Sequence, residues 1–377
     1  MTDTLPPSET LPTSTNILFW KPEEQSPGYR NIAKVFNTQP VPLGAAPVRP
    51  LPPGAPLDIS FYAHGEVRDL DWYMEANSVA GVIVLKDGKV RTERYARGLT
   101  PDQPWVSFSV AKSFTSTLVG CAIADGLIDG LDDQLVRHIP EMKGSAYDGV
   151  TVRQLLTMTS GVRWNEDYAD PKSDVAVAGR EVPADGSHPV VHYMKQLPRE
   201  SEPGTQNKYS TGETDLTGVL VNRATGKTLA AYLSEKIWSR FGMEAPATWI
   251  CDKSRRERGG SGLSITLRDY ARFGLFMLEG GVVDGKSVVP PGWTREATVT
   301  QIPQVLAGGG GYGYQWWTNP DGSYRGSGIF GQGLFIDPAL NLVVVTLSTW
   351  AKAVDLVLAE NRVRFIDGIR DAVRAEA

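Results

Sequence analysis

The strand-forming segments constrain the fold of this chain most, because they lie near both ends and helical patterns lie between them. Near the N-terminal end, Val79–Leu85 and Lys89–Tyr95 are rich in β-branched residues and flank the turn Lys86-Asp-Gly88. An Asp-Gly turn between such runs predicts a β-hairpin. Further strand-like runs in the C-terminal third are Tyr312–Trp317, Tyr324–Asp337 and Leu342–Leu347. One antiparallel sheet built from both ends of the chain is therefore expected.

Between these strands the apolar period becomes that of a helix. Apolar and small side chains recur at helical spacing from Ser109 onward, and this pattern ends near Gly126. Residues 130–260 are predicted to be an inserted all-helical region rich in loops. Two more helices are expected over 266–279 and roughly 353–374. This order indicates an α+β fold rather than a repeating βαβ arrangement.

The first sixty residues differ in composition, since they hold twelve of the 26 prolines. Proline fixes φ and has no N–H, so neither a regular helix nor a central strand is expected there. The apolar runs Ile17–Trp20 and Ile32–Phe36 still predict contact with the rest of the protein. We expect residues 1–60 to form an extended arm over a main domain of residues 61–377. A disordered tail is the alternative for residues 1–15.

Composition excludes several classes of partner. Lysine and arginine total 38 against 43 aspartate and glutamate, and this net charge of -5 argues against nucleic-acid binding. No apolar run reaches the roughly 18 residues that a membrane span needs, so no membrane partner is expected. The N-terminal residues lack the pattern of a signal peptide, which favours a cytoplasmic location. The oligomeric state is left open, a homodimer included.

Histidine and cysteine are too few to favour a metal site. The two cysteines, Cys121 and Cys251, can build neither a disulfide scaffold nor a CxxC metal site. His188 and His192 stand four residues apart, but Pro189 follows the first and no HExxH glutamate lies between them. A surface loop is the better interpretation, and no metal is predicted.

The sharpest chemical motif is Ser109-Val-Ala-Lys112 at the predicted helix start. Side chains three residues apart lie on one face of a helix, about 5–6 Å apart at Cβ. A neutral lysine there can take the serine proton, and burial lowers the pKa of an amine. The helix N-terminus also favours a developing oxyanion. The pattern is short enough to occur by chance, so its weight depends on the motifs that lie downstream of it.

Two downstream elements could complete such a site. Lys208-Tyr-Ser-Thr211 precedes a predicted helix, and its Tyr209 hydroxyl could serve as a second proton carrier. Arg325-Gly-Ser-Gly-Ile329 is a strand segment of small residues, whose N–H groups could form an oxyanion hole with that of Ser109. An alternative register places this third element at Phe330–Gln332.

These three elements, in this order, resemble the serine β-lactamase and penicillin-recognising family, nearest to its class C branch. Further family-like stretches are Leu155–Gly161, Gly260–Thr266 and Asp269–Phe273. Within the family the chain is most similar to 6-aminohexanoate-oligomer hydrolases and related carboxylesterases. The resemblance covers roughly residues 75–370. It implies a β-lactamase-like α+β fold, with an antiparallel sheet flanked by helices and an inserted all-helical subdomain.

The resemblance also implies an acyl-enzyme mechanism that needs no cofactor. Ser109 would be the nucleophile, Lys112 the general base and Tyr209 the proton relay. The N–H groups of Ser109 and Ile329 would hold the oxyanion. Tyr168 would hydrogen-bond a small ester or amide substrate.

Pocket residues show where the chain departs from its relatives. Trp316 or Trp317 would line the pocket, and alternation along a strand allows only one of the two rings to face it. Gly326-Ser-Gly328 offers no lysine or histidine to a substrate carboxylate, and Gly179 stands where good dimer hydrolases carry an acidic residue. Glu166-Asp167 is expected to be a pair of solvated loop carboxylates.

We therefore expect a serine hydrolase, and most of all a carboxylesterase. An amidase or peptidase of aminohexanoate-oligomer or D-amino-acid type is the enzymatic alternative. A non-catalytic binding protein on the same fold is a third alternative, although such a protein has no need of Ser109, Lys112 and Tyr209 together.

Overall fold

Strands from both ends of the chain pair with one another in the computed structural model, which describes residues 10–178, 180, 182–303 and 310–376. The strands of these residues are β1 Thr38–Val41, β2 Ser60–Ala63, β3 Glu66–Asp69, β4 Val79–Lys86, β5 Lys89–Tyr95, β6 Pro104–Val106, β7 Ala247–Ile250, β8 Leu263–Thr266, β9 Val282–Val283, β10 Lys286–Ser287, β11 Ile302–Pro303, β12 Gly311–Tyr312, β13 Trp317–Thr318, β14 Tyr324–Gly328, β15 Gln332–Asp337 and β16 Leu342–Ser348. The main sheet is antiparallel, with the order β11-β12-β13-β14-β15-β16-β4-β5. The predicted sheet and the α+β class are confirmed.

Helices cover this sheet and fill the middle of the chain. They are α1 Pro22–Arg30, α2 Ile32–Val35, α3 Leu70–Ala76, α4 Ala111–Ala124, α5 Leu135–His138, α6 Val152–Leu156, α7 Asp174–Val177, α8 Pro189–Met194, α9 Thr211–Thr225, α10 Leu229–Leu233, α11 Leu267–Leu278, α12 Trp293–Ala297 and α13 Leu356–Ala375. Short 3-10 turns occupy Ile17–Phe19, Phe108–Val110, Pro140–Met142 and Ile329–Gly331, and Ser234–Trp238 is π-helical. None of the helices in the described ranges has both the length and the apolar character needed to cross a bilayer.

Alternation along β4 sends its side chains into two cores, one on each face of the main sheet. Ile83 points into the larger core, which α4, α9 and α11 complete. Val84 points into a smaller core, where Tyr73 of α3 stacks on Phe365 of α13 with ring centroids 3.9 Å apart. Successive strand residues face opposite sides of a sheet, so a strand buried on both faces, such as β4, is apolar from Val79 to Leu85.

A second, four-stranded sheet has the order β1-β7-β8-β6. Its strand β7 lies inside residues 130–260, so the prediction of an all-helical region holds for α5 to α10 and is wrong at β7. The backbone of β7 pairs with β1 on one side and β8 on the other, and Trp249 is fully buried. Hydrogen bonding to neighbouring strands therefore makes this short segment a strand rather than a helix.

The N-terminal segment is less extended than its prolines suggest. The prediction of no regular helix is wrong at α1, where Pro22 occupies the first turn, whose N–H groups have no helical partner in any case. Pro27 lies inside this short helix and Tyr29 near its end is fully buried. The segment from 42 to 59 has little regular structure, as expected. The division of the chain at residue 60 stays a prediction.

The strand expected over Tyr312–Trp317 is interrupted. β12 and β13 pair with each other across a tight turn, in which the Gly313 N–H donates to the Trp316 carbonyl at 2.9 Å. Gln315 has a φ of +62°, a left-handed conformation that no strand contains. This turn separates the environments of the two neighbouring tryptophans.

Candidate active site

Ser109 lies in the 3-10 turn that leads into α4. The turn begins at Phe108, whose φ of +44° is in the left-handed region, and the Ser107 N–H donates to the Leu263 carbonyl at 2.7 Å. β14 packs tightly on this turn, since a Cβ added at Gly328 would lie 2.6 Å from the Ser107 carbonyl oxygen. The glycines of Gly326-Ser-Gly328 thus have a packing reason, and this register of the third element borders Ser109.

Lys112 lies one helical turn after Ser109 and is 1% exposed. Its Nζ donates to Ser109 Oγ at 3.0 Å, Thr211 Oγ1 at 2.9 Å and the Gly260 carbonyl at 2.9 Å. Burial lowers the pKa of this amine to about 8, while the charges of Glu166 and Asp215 oppose the shift. In the neutral form, two N–H groups can stay on Thr211 and Gly260, which leaves the lone pair facing Ser109.

Tyr209 comes just before α9 and brings a phenol to the same place. Burial raises its pKa, as does the charge of Glu166, and a hydrogen bond with Ser109 acts in the opposite direction. The Lys112 Nζ lies 5.1 Å from the centre of the Tyr209 ring. Tyr209 therefore stays a neutral hydroxyl, which can both donate and accept a hydrogen bond.

An aromatic wall continues from Tyr209. Trp317 stacks on the Tyr209 ring with centroids 5.6 Å apart, and Tyr312 meets both rings edge-on. Trp316 points the other way into the core, where it is fully buried and stacks on Phe273. The prediction that one tryptophan belongs to the core holds for Trp316, so its assignment as a pocket residue is wrong and Trp317 is the one beside the site.

Glu166 is not the solvated loop carboxylate that the sequence suggested. Its Oε1 accepts from the Tyr168 hydroxyl at 2.8 Å and from the Thr211 hydroxyl, while its Oε2 accepts from Trp164 Nε1 and from the Thr211 N–H at 2.9 Å. The sequence carried a signal for this, because residues 164, 166 and 168 alternate in an extended segment and so share a side. Tyr168 is thus beside the site, half-buried and bonded to Glu166.

The turn that contains Ile329 is fixed by a buried amide. Gln332 Nε2 donates to the carbonyls of Ile329, Phe330 and Ser348, and its Oε1 accepts from Trp105 Nε1 at 3.0 Å. Phe330 has a φ of +59° and its N–H donates to the Ala353 carbonyl at 2.9 Å. Such bracing can hold the Ile329 N–H in place for an oxyanion, a role that stays a prediction.

The remaining predicted positions are Gly179 and the histidines. Gly179 lies outside the described residues. His188 and His192 line a separate cleft of about 590 Å³ together with Asn222 and Arg256, towards the far end of α9 from Thr211. Across the described ranges, no group of three or more histidine, cysteine or acidic side chains could hold a metal ion.

Serine hydrolases of the β-lactamase type combine two features: a buried lysine hydrogen-bonded to a serine one helical turn earlier, and an α+β fold whose main sheet joins both ends of the chain. A Beta-lactamase family profile matches residues 70–367. The chain is 34% identical to the 6-aminohexanoate-dimer hydrolase of Paenarthrobacter ureafaciens over 305 residues, which cover 75% of each chain. The chain therefore belongs to the beta-lactamase family and is a serine hydrolase.

Solved structures agree with this assignment. A Bacillus anthracis protein provisionally named a 6-aminohexanoate-dimer hydrolase superposes with a TM-score of 0.83 and 25% identity, covering 99% of both chains. The hydrolase EstCE1, which has promiscuous acyltransferase activity, superposes with a TM-score of 0.62 and 17% identity over 81% of this chain and 98% of its own. The second likeness shows the shared fold alone.

Proposed function

We propose that this protein is a carboxylesterase that cleaves short, neutral acyl esters through an acyl-enzyme on Ser109. One observation supports the proposal most directly: the Lys112 amine is buried, has a pKa lowered to about 8 and lies 3.0 Å from Ser109 Oγ. An amine in that state is partly neutral near neutral pH and so can act as a general base. The aromatic wall of Tyr209, Tyr312 and Trp317 suits an uncharged substrate.

The proposed reaction has two symmetrical halves. Ser109 Oγ attacks the ester carbonyl while its proton passes to the Lys112 amine, and the N–H groups of Ser109 and Ile329 hold the oxyanion. The bond to the leaving oxygen then breaks, and Tyr209 gives that oxygen a proton, which it regains from the Lys112 ammonium. Water attacks the acyl-enzyme in the same manner, and the Ser109 hydroxyl is restored.

The preference for neutral acyl groups follows from Gly326. A cation on β14 at this position would offer a substrate carboxylate a charge-assisted hydrogen bond, worth about 1.5–3 kcal/mol. Its absence lowers the affinity for such substrates by roughly ten- to a hundredfold. We expect nitrocefin to be hydrolysed poorly or not at all.

Amide hydrolysis of aminohexanoate-oligomer type is the second candidate, and the similarity to the Paenarthrobacter ureafaciens enzyme favours it. The same Ser109, Lys112 and Tyr209 would serve, so only substrate selection separates the two.

The buried free cysteines, Cys121 and Cys251, suit a reducing compartment, and a cytoplasmic location is part of the proposal.

A labelling and substrate experiment tests the proposal. A fluorophosphonate probe should label Ser109 alone, and Ser109→Ala should abolish both labelling and hydrolysis. Short p-nitrophenyl esters should be cleaved faster than aminohexanoate dimer or nitrocefin. Labelling of another serine would contradict the site assignment. Faster hydrolysis of the dimer than of the esters by the wild-type enzyme would contradict the esterase assignment.

Gly179 allows a direct test of the substrate class. By the family resemblance, good dimer hydrolases carry an acidic residue at the position of Gly179, and such a side chain could pair with the free amino group of the dimer. We expect Gly179→Asp to raise dimer hydrolysis relative to ester hydrolysis, measured as the ratio of the two kcat/KM values. Gly179→Asn is the matched control, because it adds similar bulk without the charge.

A further inference from the structure

Glu166 has no remaining capacity for a substrate group. Its two carboxylate oxygens already accept from four donors, namely Trp164 Nε1, the Tyr168 hydroxyl, and both the N–H and the hydroxyl of Thr211. An ionised carboxylate offers about four lone-pair sites, so binding a substrate ammonium would displace one of these bonds. Thr211 is the first residue of the 15-residue helix α9, and a helix N-terminus stabilises an anion. Four donors directed at its two oxygens match a carboxylate that only accepts, and they hold Glu166 in one position.

The direction of the Thr211 hydroxyl follows from this. An ionised carboxylate only accepts, so the single hydrogen of the Thr211 hydroxyl points to Glu166. The Thr211 oxygen must then accept from Lys112 Nζ, at 2.9 Å. A chain of hydrogen bonds, Lys112 to Thr211 to Glu166, consequently has one defined direction.

The second acceptor of Lys112, the Gly260 carbonyl, belongs to a residue that is also hydrogen-bonded to a carboxylate. The Gly260 carbonyl accepts from Lys112 Nζ at 2.9 Å, and the Gly260 N–H donates to Asp215 Oδ1 at 2.8 Å. Both acceptors that turn the Lys112 N–H groups away from Ser109 are thus linked to a carboxylate. Glu166 differs from Asp215 in that it acts through a rotatable hydroxyl, whose direction depends on the carboxylate.

We propose that Glu166, acting through the Thr211 hydroxyl, is the positioning residue that aims the Lys112 lone pair at Ser109. This rests on the proposed role of Lys112 as general base. The groups that face the amine are the Ser109 and Thr211 hydroxyls, the Gly260 carbonyl and the Tyr209 ring, with the charges of Glu166 and Asp215 behind them. The negative charge of Glu166 also raises the pKa of Lys112 against the effect of burial.

Glu166→Gln separates positioning from a merely structural role. The amide keeps the shape but removes the charge and lets the Thr211 hydroxyl turn. We expect kcat for p-nitrophenyl acetate to fall about tenfold or more with a smaller change in KM, since a misdirected base acts in the chemical step. Because an anion is lost, the pKa of Lys112 falls, and the acid limb of kcat/KM should move to lower pH. Asp167→Asn, an exposed carboxylate on the same loop, is the matched control and should change neither.

Thr211 provides a second test that does not depend on how Glu166→Gln folds. Thr211→Ser keeps the hydroxyl and should retain kcat, whereas Thr211→Val removes it and should lower kcat about as much as Glu166→Gln. A Glu166→Gln profile that superimposes on the wild type, or equal activity of Thr211→Val and Thr211→Ser, overturns the proposal. If hydrolysis survives Ser109→Ala, the acyl-enzyme on which this proposal rests is refuted. Ser109→Ala therefore separates a failure of the proposed function from a failure of the proposed role of Glu166.

Discussion

At the scale of single residues, we expect the ionisation of Lys112 to set the pH dependence of the proposed reaction. Its pKa is lowered to about 8, chiefly by burial, and the proposed base is the neutral amine. Activity should therefore rise with pH and level off above the pKa, giving a kcat/KM limb with a midpoint near 8. Lys112→Met should lower kcat/KM by about 10²–10⁴-fold. Exposed Lys172→Met is the control, and a midpoint near the ordinary lysine value of about 10.4 would contradict the assignment.

The sequence indicates Ser109 and Lys112 because a spacing of three on a helix brings their side chains together regardless of the rest of the fold. It does not indicate Thr211 or Gly260, which lie 99 and 148 residues from Lys112 along the chain. Alternation along the extended segment places Glu166 on the side of Trp164 and Tyr168, but only the packing of its loop against α9 gives this carboxylate Thr211 as a partner. Short-range periodicity thus predicts the proposed nucleophile and base, and tertiary contacts supply the groups proposed to orient them.

At the scale of elements, helix α9 carries a second buried ionisable group. Glu213 is 2% exposed and accepts from the Ser160 hydroxyl, and burial raises the pKa of this carboxyl to about 8. The folded state therefore holds a proton that the unfolded state releases above an ordinary pKa of about 4.3. Stability from this group is fully present below that value and is lost as the pH rises towards 8.

Glu213→Gln should remove this loss. The amide cannot ionise. The unfolding free energy of the variant minus that of the wild type should therefore increase by roughly 2 kcal/mol from pH 6 to pH 8. Urea unfolding at the two pH values measures the difference, and the contribution of Lys112 cancels because both proteins contain it. Exposed Glu202→Gln should show no such change. A constant difference for Glu213→Gln between the two pH values would mean that Glu213 is ionised in the folded protein.

Element prediction succeeded where the pattern was long and failed where it was short. The hairpin β4–β5 and helices α4, α11 and α13 have sustained apolar periods and were found. β7 spans four residues and α1 nine, and both obtain their stability from contacts distant in sequence. The interruption between β12 and β13 depends on the left-handed backbone of Gln315, which no side-chain pattern reveals.

At the scale of the whole molecule, the N-terminal segment packs beneath the catalytic region. The ring of Tyr29 in α1 contacts the rings of Phe108 and Phe330, with centroids 5.1 and 6.1 Å away. Phe108 directly precedes Ser109, and Phe330 directly follows Ile329. Gln25 of the same helix donates to the Trp350 carbonyl at 3.2 Å, and the Trp350 N–H donates to the Phe330 carbonyl. The family profile begins at residue 70, yet residues before it brace both proposed sources of oxyanion N–H groups.

We therefore expect Tyr29 to couple stability to catalysis. Tyr29→Ala leaves a cavity among Trp105, Phe108 and Phe330, and we expect a loss of about 3–5 kcal/mol in unfolding free energy. It should also lower kcat for p-nitrophenyl acetate more than it raises KM, because the turns that present Ser109 and Ile329 can then shift. Tyr29→Phe is the matched control: the buried hydroxyl has no hydrogen-bond partner in the part of the chain that the structure describes. Removing that hydroxyl should leave kcat unchanged and keep or raise stability. If Tyr29→Ala is destabilised but retains the kcat of the wild type at a temperature where it is folded, the segment supports the fold without positioning the site.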